Sequence, residues 1–429
     1  MQRWIQRFTG NREITNAGWL IGGKAAQMAL SFFISICAAR YLGPDNYGII
    51  HYASAYVAFF TAFCTLGINS VIIKDFVDNP DEQGETIGTA LVLRTASSIL
   101  SVAVISGIVQ IVDRDEPLTV TVVFLCSLSL VFQAADTINY WFQSRYESKV
   151  TAVVTLVAYA ATSAYKIMLL VTRRDIRWFA FAPSVDYICI AILLVAAYWR
   201  RNGPKLSFSL QKGGRLLTKS YHYILSGLMV AIYGQTDKLM LKHMLDEASV
   251  AHYSLAASLN LMWVFVLQAI IDSVYPTIMA LYKTDRAQFE RKNRQLYALV
   301  IYVSLFVAVC FTVFGRRGIQ LLYGDAYIEA AKPLRIITWY TIFSYLGVAR
   351  NAWIVCENRQ RYLKYLYLGA VVINIVLNWF LIPLWGASGA AAASLATQVM
   401  TSIILPAFMK DMRPNVKLMI DALLLRGMQ

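Results

Sequence analysis

Twelve long apolar runs constrain the fold of this chain more than any other feature. Most are about as long as the roughly 20 residues that an α-helix needs to cross the hydrocarbon of a bilayer. Short polar breaks separate the runs, which leaves no room for a soluble domain between them. The sequence predicts an all-α polytopic membrane protein with about twelve transmembrane helices. The runs lie at 16–40, 47–73, 86–111, 118–143, 150–172, 178–199, 218–242, 249–281, 295–315, 334–357, 363–383 and 387–409.

The first two runs form a hairpin whose plan returns later in the chain. Gly43 and Pro44 cannot continue a helix, so we expect a tight turn between the runs. The stretch 227–257 repeats the same order of apolar run, short polar break and apolar run. Such an echo predicts two six-helix bundles related by an internal repeat. The matching residues are His51-Tyr52-Ala53 with His252-Tyr253-Ser254, and Arg40 with Lys242 or His243.

Basic residues set the predicted orientation. They concentrate in the segments that are cytoplasmic if the N-terminus is inside, so the positive-inside rule places both termini in the cytoplasm. The longest connection is basic and separates the sixth run from the seventh. The predicted division is a cytoplasmic segment 1–15, a bundle 16–199, a linker 200–217, a second bundle 218–409 and a cytoplasmic tail 410–429.

The composition indicates a polytopic membrane protein, and the absence of the corresponding motifs opposes most enzyme classes. The chain is 58% hydrophobic and 15% charged, and its net charge of +14 follows the predicted cytoplasmic loops, so we expect no nucleic-acid partner. The six cysteines fall in different apolar runs, which indicates core packing. The four histidines form no metal-ligand spacing, and no nucleotide-binding motif occurs. We therefore expect no metal, no cofactor and no catalytic residue.

Charged residues lie inside the predicted spans, and ten of them, five basic and five acidic, are the ones we consider for pairing or function. An unpaired charge at the bilayer centre costs about 2.5–3.5 kcal/mol, so most must pair, reach the interface or line a wet cavity. From their depths we predict ion pairs between Arg94 and Asp136 and between Lys166 and Asp186, with structural and functional roles both open. The ten are Lys24, Arg94, Lys166, Lys238, Arg350, Asp136, Asp186, Asp237, Asp272 and Glu357.

Polar residues also recur at helical spacing in both halves. The eighth run carries Asn260, Gln268 and Asp272, and it contains Pro276, which is expected to bend or end the helix. Such stripes favour a shared central cavity, although hydrogen-bonded helix contacts would produce the same pattern.

The last hairpin resembles a known family. The stretch 362–398 is similar to the penultimate hairpin of the polysaccharide-repeat-unit flippases, the O-antigen and capsule branch of the multidrug/oligosaccharidyl-lipid/polysaccharide exporter superfamily. The opening hairpin at 39–48 and the segment 65–69 agree, and the resemblance covers essentially the whole chain. One departure is 245–248, which lacks the Gly-Pro turn. The matching elements of the last hairpin are Asn374, Asn378, Ile382-Pro383, Gly386 and Gly389.

The resemblance implies a flippase of the bacterial cytoplasmic (inner) membrane. It would move an undecaprenyl-diphosphate-linked oligosaccharide from the cytoplasmic to the external leaflet by alternating access, in contact with membrane lipid and with polysaccharide polymerase or chain-length proteins as further candidate partners. Cations suited to the diphosphate are Lys24, Arg94 and Arg350 in the inner halves of their spans, with Arg40 and Lys242 at an outer mouth. Candidates for H+ or Na+ coupling or structural pairing are Asp136, Asp237, Asp272, Lys166 and Asp186.

Three alternatives stay open. A multidrug or organic-cation antiporter of the same superfamily would need an acidic, aromatic cavity. A peptidoglycan-precursor flippase would tend to have about fourteen spans. An O-antigen polymerase or acyltransferase would need a large external loop with an essential Arg or His, and the loops here are short.

Overall fold

The computed structural model describes the backbone of residues 12–427 and the side chains from residue 30 onward, apart from Ser70. All regular structure in this described part is helical, and nine of its helices are long and apolar enough to cross a membrane. Helical segments at 12–42, 210–244 and 331–356 account for the remaining predicted runs, for a total of about twelve. The predicted all-α polytopic fold is therefore confirmed.

Two compact units follow one another along the chain, the first through Ala231 and the second from Ile232. This boundary lies inside α9, further along than the predicted linker 200–217. The helices of unit 1 are α1 Arg12–Cys64, α2 Asn69–Asp78, α3 Gln83–Val112, α4 Pro117–Ser127, α5 Ser129–Gln133, α6 Thr137–Ser144, α7 Ser148–Val171 and α8 Ile176–Arg200, followed by α9 Leu210–Met244, which continues into unit 2. Short 3₁₀ turns occupy Pro80–Glu82 and Ala134–Asp136.

Unit 2 continues with eight further helices. They are α10 Glu247–Leu261, α11 Val264–Thr284, α12 Arg286–Tyr323, α13 Ala331–Cys356, α14 Leu363–Trp385, α15 Ala387–Val399, α16 Leu405–Phe408 and α17 Arg413–Leu423. A π-helical turn, Met400–Ile404, joins α15 to α16, and 3₁₀ turns occupy Asp325–Ala330 and Gln360–Tyr362. The eighth predicted run is broken at Met262–Trp263, before the position expected from sequence, and α11 continues through Pro276 to Thr284.

The predicted hairpin turn between the first two runs is present as a sharp kink. Gly43 has a φ of +72° and a ψ of 172°, a conformation that side chains with a Cβ rarely adopt. Pro44 follows at the start of the next helical stretch, where its missing N–H has no partner to lose. The two residues therefore divide α1 into two spans.

The connection from α8 to α9 lies in an extended conformation along α3. Gly84 and Gly88 are four residues apart and so share one face of that helix. A Cβ on Gly88 would lie 2.2 Å from the carbonyl oxygen of Ser207, and one on Gly84 would lie 2.2 Å from that of Lys205. Only glycine permits this approach, which explains why the linker belongs to unit 1.

Lys212, in the first turn of α9, joins the end of this connection to α2 and to the 3₁₀ turn that precedes α3. Its Nζ lies 3.1 Å from Asp75 Oδ2 and 2.6 Å from Glu82 Oε2. Burial by itself raises the pKa of Asp75, but hydrogen bonds from Thr86 and Lys212 outweigh it and lower that pKa below its ordinary 3.8. Burial likewise lowers the pKa of Lys212, but the bonds to Glu82 and Asp75 raise it above 10.5.

These shifts predict a pH-dependent contribution to stability. The lowered pKa of Asp75 stabilises the folded state above about pH 4, and this contribution is lost as the pH falls through the folded value. The raised pKa of Lys212 contributes below about pH 10.5 and is lost as the pH rises further. In thermal melts of purified protein, the difference between wild type and Lys212→Met should be constant from pH 5 to 9 and shrink below pH 4. A difference independent of pH down to 3 would contradict the assignment.

Candidate functional site

A cluster of polar side chains surrounds Asp237 inside unit 2. Asp237 lies near the end of α9, and Tyr253 lies in the second turn of α10. Asn374 and Asn378 are one turn apart on α14, and Ser394 is in the second turn of α15. The cluster therefore forms where α9 meets α10 and α14 meets α15. We call these five residues the Asp237 cluster.

Four uncharged groups donate hydrogen bonds to the Asp237 carboxylate. Asn374 Nδ2 and Asn378 Nδ2 donate to Oδ1, at 3.1 and 2.6 Å. Ser394 Oγ donates to Oδ2 at 2.6 Å, and the Tyr253 hydroxyl donates to the same oxygen. Both oxygens are thus saturated, although the residue is only 4% exposed. This degree of satisfaction is what a buried carboxylate requires.

No cation of the described residues is in direct contact with the Asp237 carboxylate. Among the described residues, no cationic side chain lies within 4.0 Å of the Asp237 carboxylate. The neighbouring Lys238 instead donates to Gln235 Oε1 at 3.1 Å. Asn378 Oδ1 is also buried without a hydrogen-bond donor in the part of the chain that is described. A buried carboxylate without a cation in direct contact is an uncompensated charge, which a proton or a small cation could balance by taking the place of one of the donors.

A second layer of hydrogen bonds supports the cluster. Gln398 Nε2 donates to the Tyr233 hydroxyl at 2.9 Å, so that α15 is tied to α9 one turn away from Asp237. Asn378 Nδ2 also donates to Asn374 Oδ1 at 3.1 Å, which fixes the orientation of both amides. The cluster is therefore held by contacts among four helices.

The internal sequence echo has a counterpart in the structure. Tyr52 of unit 1 donates to Asp113 Oδ2 at 2.8 Å, and its partner in the echo, Tyr253 of unit 2, donates to Asp237. Both tyrosines and both aspartates are buried. The repeated tyrosine thus has the same task, to hold a buried aspartate, within each unit.

Arg94 and Arg350 are enclosed by their own units. Arg94 is 2% exposed and donates to Thr137 Oγ1 at 3.1 Å and to the carbonyl oxygen of Gln133 at 3.3 Å. Arg350 is 5% exposed and donates to the carbonyl oxygens of Thr401 and Ser402. In this conformation neither guanidinium is presented to a diphosphate.

The other three predicted headgroup cations have different surroundings. Lys242 is 7% exposed and lies 2.6 Å from Glu247 Oε1, so its charge is neutralised by an adjacent carboxylate. Arg40 is exposed on α1. Lys24 lies in α1, but its side chain is outside the described residues.

Neither of the two predicted ion pairs in unit 1 is a direct contact among the described residues, although the opposite charges of each pair attract each other through space. Thr162 Oγ1 donates to Asp186 Oδ1 at 3.0 Å, and within the described part of the chain neither Asp186 nor Lys166 has an ion-pair partner within 4.0 Å. The same holds for Asp136 with Arg94, because the guanidinium is turned toward Gln133 and Thr137. The two members of each pair lie in the same unit, but their charged groups do not come into direct contact.

Asp272, the other acidic candidate in unit 2, differs from Asp237 in its exposure and in the number of hydrogen bonds that it accepts. It is exposed on α11 and accepts one hydrogen bond, from Gln268 Nε2 at 2.8 Å. Of these two candidates for ion coupling, Asp237 is therefore the one that is buried and held by several neighbouring side chains.

Sequence reasoning missed Tyr253 and Ser394 as members of this site. Asn374 and Asn378 carried a readable signal, because two amides one turn apart are unusual in a run as apolar as 363–383. Tyr253 was visible only through the internal echo. Ser394 lies among small residues and carried no distinguishing signal.

Comparison with known proteins identifies relatives of the whole chain. The model of the family described as polysaccharide biosynthesis protein matches residues 37–332. A candidate O-antigen transporter of Escherichia coli strain K12 is 19% identical over 392 residues, covering 87% of this chain and 90% of that protein. A candidate flippase of Haloferax volcanii, AglR, is 21% identical over 394 residues, covering 89% of this chain and 80% of that protein.

Solved structures share the fold. The lipid II flippase MurJ in an inward closed conformation superposes with a TM-score of 0.71 at 13% identity, covering 94% of this chain and 91% of that one. An inward-facing multidrug transporter of the MATE family gives a TM-score of 0.65 at 14% identity, covering 91% of this chain and 95% of that one. At these identities the likeness concerns the fold alone.

Proposed function

This chain belongs to the polysaccharide biosynthesis protein family, and from that premise we propose that it is a flippase for lipid-linked oligosaccharides. The cargo we propose is an undecaprenyl-diphosphate-linked repeat unit of O-antigen, capsule or exopolysaccharide. It would pass from the cytoplasmic to the external leaflet of a bacterial inner membrane by alternating access, with both termini in the cytoplasm. The family and the multi-pass fold support this proposal.

The observation that carries the transport mechanism is the buried carboxylate of the Asp237 cluster. Four neutral donors hold it inside unit 2, and Asn378 Oδ1 adds an oxygen without a donor. A single carboxylate balances one positive charge, so we propose H+ or Na+ as the coupling ion. Hard oxygen ligands of this kind suit Na+ better than a transition metal.

Three of the five cations that the sequence suggests for the diphosphate headgroup already have partners within the structure. Arg94 and Arg350 bind main-chain oxygens within their own units, and Lys242 is paired with Glu247. We propose that the diphosphate headgroup is bound by cations of this set, Lys24, Arg40, Arg94, Lys242 and Arg350. Rearrangement of Arg94 or Arg350 would have to break buried hydrogen bonds.

Binding to purified protein tests the proposed cargo. We expect an undecaprenyl-diphosphate oligosaccharide to raise the unfolding midpoint, because a ligand at 100 times its Kd stabilises the folded state by about 2.7 kcal/mol. Undecaprenyl monophosphate without sugar serves as the matched control and should stabilise less. Stabilisation by an organic cation such as ethidium, with none by the lipid-linked oligosaccharide, would contradict the proposal and favour a drug antiporter.

A further inference from the structure

The last predicted span contains a defect in its hydrogen bonding. Its main-chain pattern changes from α to π at Met400–Ile404, and the N–H of Leu405 donates to the carbonyl of Met400, five residues back. In an α-helix that N–H would have bonded the carbonyl of Thr401. The π turn therefore removes the usual donor from Thr401.

Pro406 extends the same defect by one residue. Proline has no backbone N–H, so it cannot donate to Ser402 in an α pattern or to Thr401 in a π pattern. Two consecutive carbonyl oxygens, those of Thr401 and Ser402, thus lose the main-chain donors that they would have in an α-helix. Both residues are buried, where an unpaired carbonyl is costly.

Arg350 on α13 reaches these two oxygens. Its Nη1 donates to the carbonyl of Thr401 at 3.4 Å and to that of Ser402 at 3.3 Å. Within the described residues the guanidinium has no carboxylate within 4.0 Å, and its Nε is buried without a partner. Among the described residues, this buried cation therefore donates its hydrogen bonds to the two main-chain oxygens.

We propose that Arg350 is a positioning residue that replaces the N–H missing at Pro406. It holds the bent end of the last span against α13, together with Ser402 Oγ, which donates to the carbonyl of Phe343 at 2.7 Å. The segment leads directly from α15, which carries Ser394 of the Asp237 cluster and Gln398 beside it. A π turn changes the rotation of one end of a helix relative to the other, so this anchor fixes how α15 meets α9. The inference does not depend on which cargo is carried.

A pair of substitutions distinguishes this positioning role from a role in which the charge of Arg350 binds the cargo headgroup. Arg350→Met removes the donor, and Pro406→Ala restores a backbone N–H within reach of the Ser402 carbonyl. We would measure amide hydrogen exchange across 399–409 in the full-length protein, and surface polysaccharide in a strain that depends on it. Arg335→Met, an exposed arginine on the same helix, is the matched control.

Arg350→Met should speed exchange in 399–409 about tenfold, the effect of losing one net hydrogen bond in a buried helix, while Arg335→Met leaves it unchanged. Adding Pro406→Ala to Arg350→Met should restore both the slow exchange and export. If Arg350→Met does not accumulate in the membrane, recovery of accumulation in the double variant supports the proposal, and failure to recover overturns it. Slow exchange restored without export would assign Arg350 to the cargo headgroup and also overturn it.

Discussion

Replacing Asp237 with asparagine will reduce polysaccharide export about 100-fold while the protein remains in the membrane at its normal level. Asparagine has the same size, but it lacks the negative charge that balances a proton or Na+. Its amide group also places N–H donors opposite the N–H and O–H groups that donate to the carboxylate. Coupling free energies of about 1–3 kcal/mol correspond to 5–150-fold effects, and this substitution removes the proposed site for the ion. Export would be measured as surface polysaccharide per cell, normalised to the amount of protein in the membrane.

Asp272→Asn is the matched control for this prediction. That carboxylate also lies in a predicted span, but it is exposed and accepts only from Gln268. We expect export within about twofold of wild type. Equal losses in the two variants would remove Asp237 from its proposed role, since a general effect of neutralising an intramembrane carboxylate would then explain both.

Replacing Gly88 with alanine will lower the unfolding midpoint of the purified protein by about 5–10 °C. The new Cβ would lie 2.2 Å from the Ser207 carbonyl oxygen, which is main chain and cannot rotate away. The linker must therefore lift from α3, with loss of the bonds from Ser207 N–H to Gly84 O and from Ser209 N–H to Thr89 Oγ1. Such overpacking costs about 1–3 kcal/mol, to which the lost bonds add.

Gly107→Ala on the same helix gives the contrast. No atom lies within 4 Å of a Cβ built on Gly107, and alanine favours a helix interior over glycine by about 1 kcal/mol. We expect an unchanged or slightly raised midpoint. A fall as large as that of Gly88→Ala would mean that loss of glycine itself, not the clash with the linker, destabilises α3.

The sequence was sufficient for the features that depend on local chemistry. Gly43 and Pro44 marked the first hairpin turn because neither can continue a helix, and the apolar runs marked the spans. The echo of Tyr52 in Tyr253 pointed to related units, and both tyrosines hold a buried aspartate. These features can be predicted from the sequence because each depends on a few adjacent residues.

The features that depend on how each helix is rotated about its own axis could not be predicted from the sequence. Depth along a span is readable from residue number, but the direction in which Lys166 or Arg94 points around its helix also depends on packing. Arg350 illustrates the limit, because its partners are main-chain oxygens freed by a π turn that no side-chain pattern announces. The Asp237 cluster likewise needs four helices to meet, and although Asp237 and the two amides stood out in the sequence, nothing there indicated that they are in contact.

The flippase proposal is tested most directly by deleting the gene and resolving the lipid-linked oligosaccharides of the host membrane by leaflet. We predict that undecaprenyl-diphosphate repeat units accumulate in the cytoplasmic leaflet and that surface polysaccharide is lost. Wild-type protein supplied in trans should reverse both changes, and Asp237→Asn should reverse neither. Normal surface polysaccharide, with repeat units distributed as in the parent strain and altered sensitivity to cationic compounds, would contradict the account.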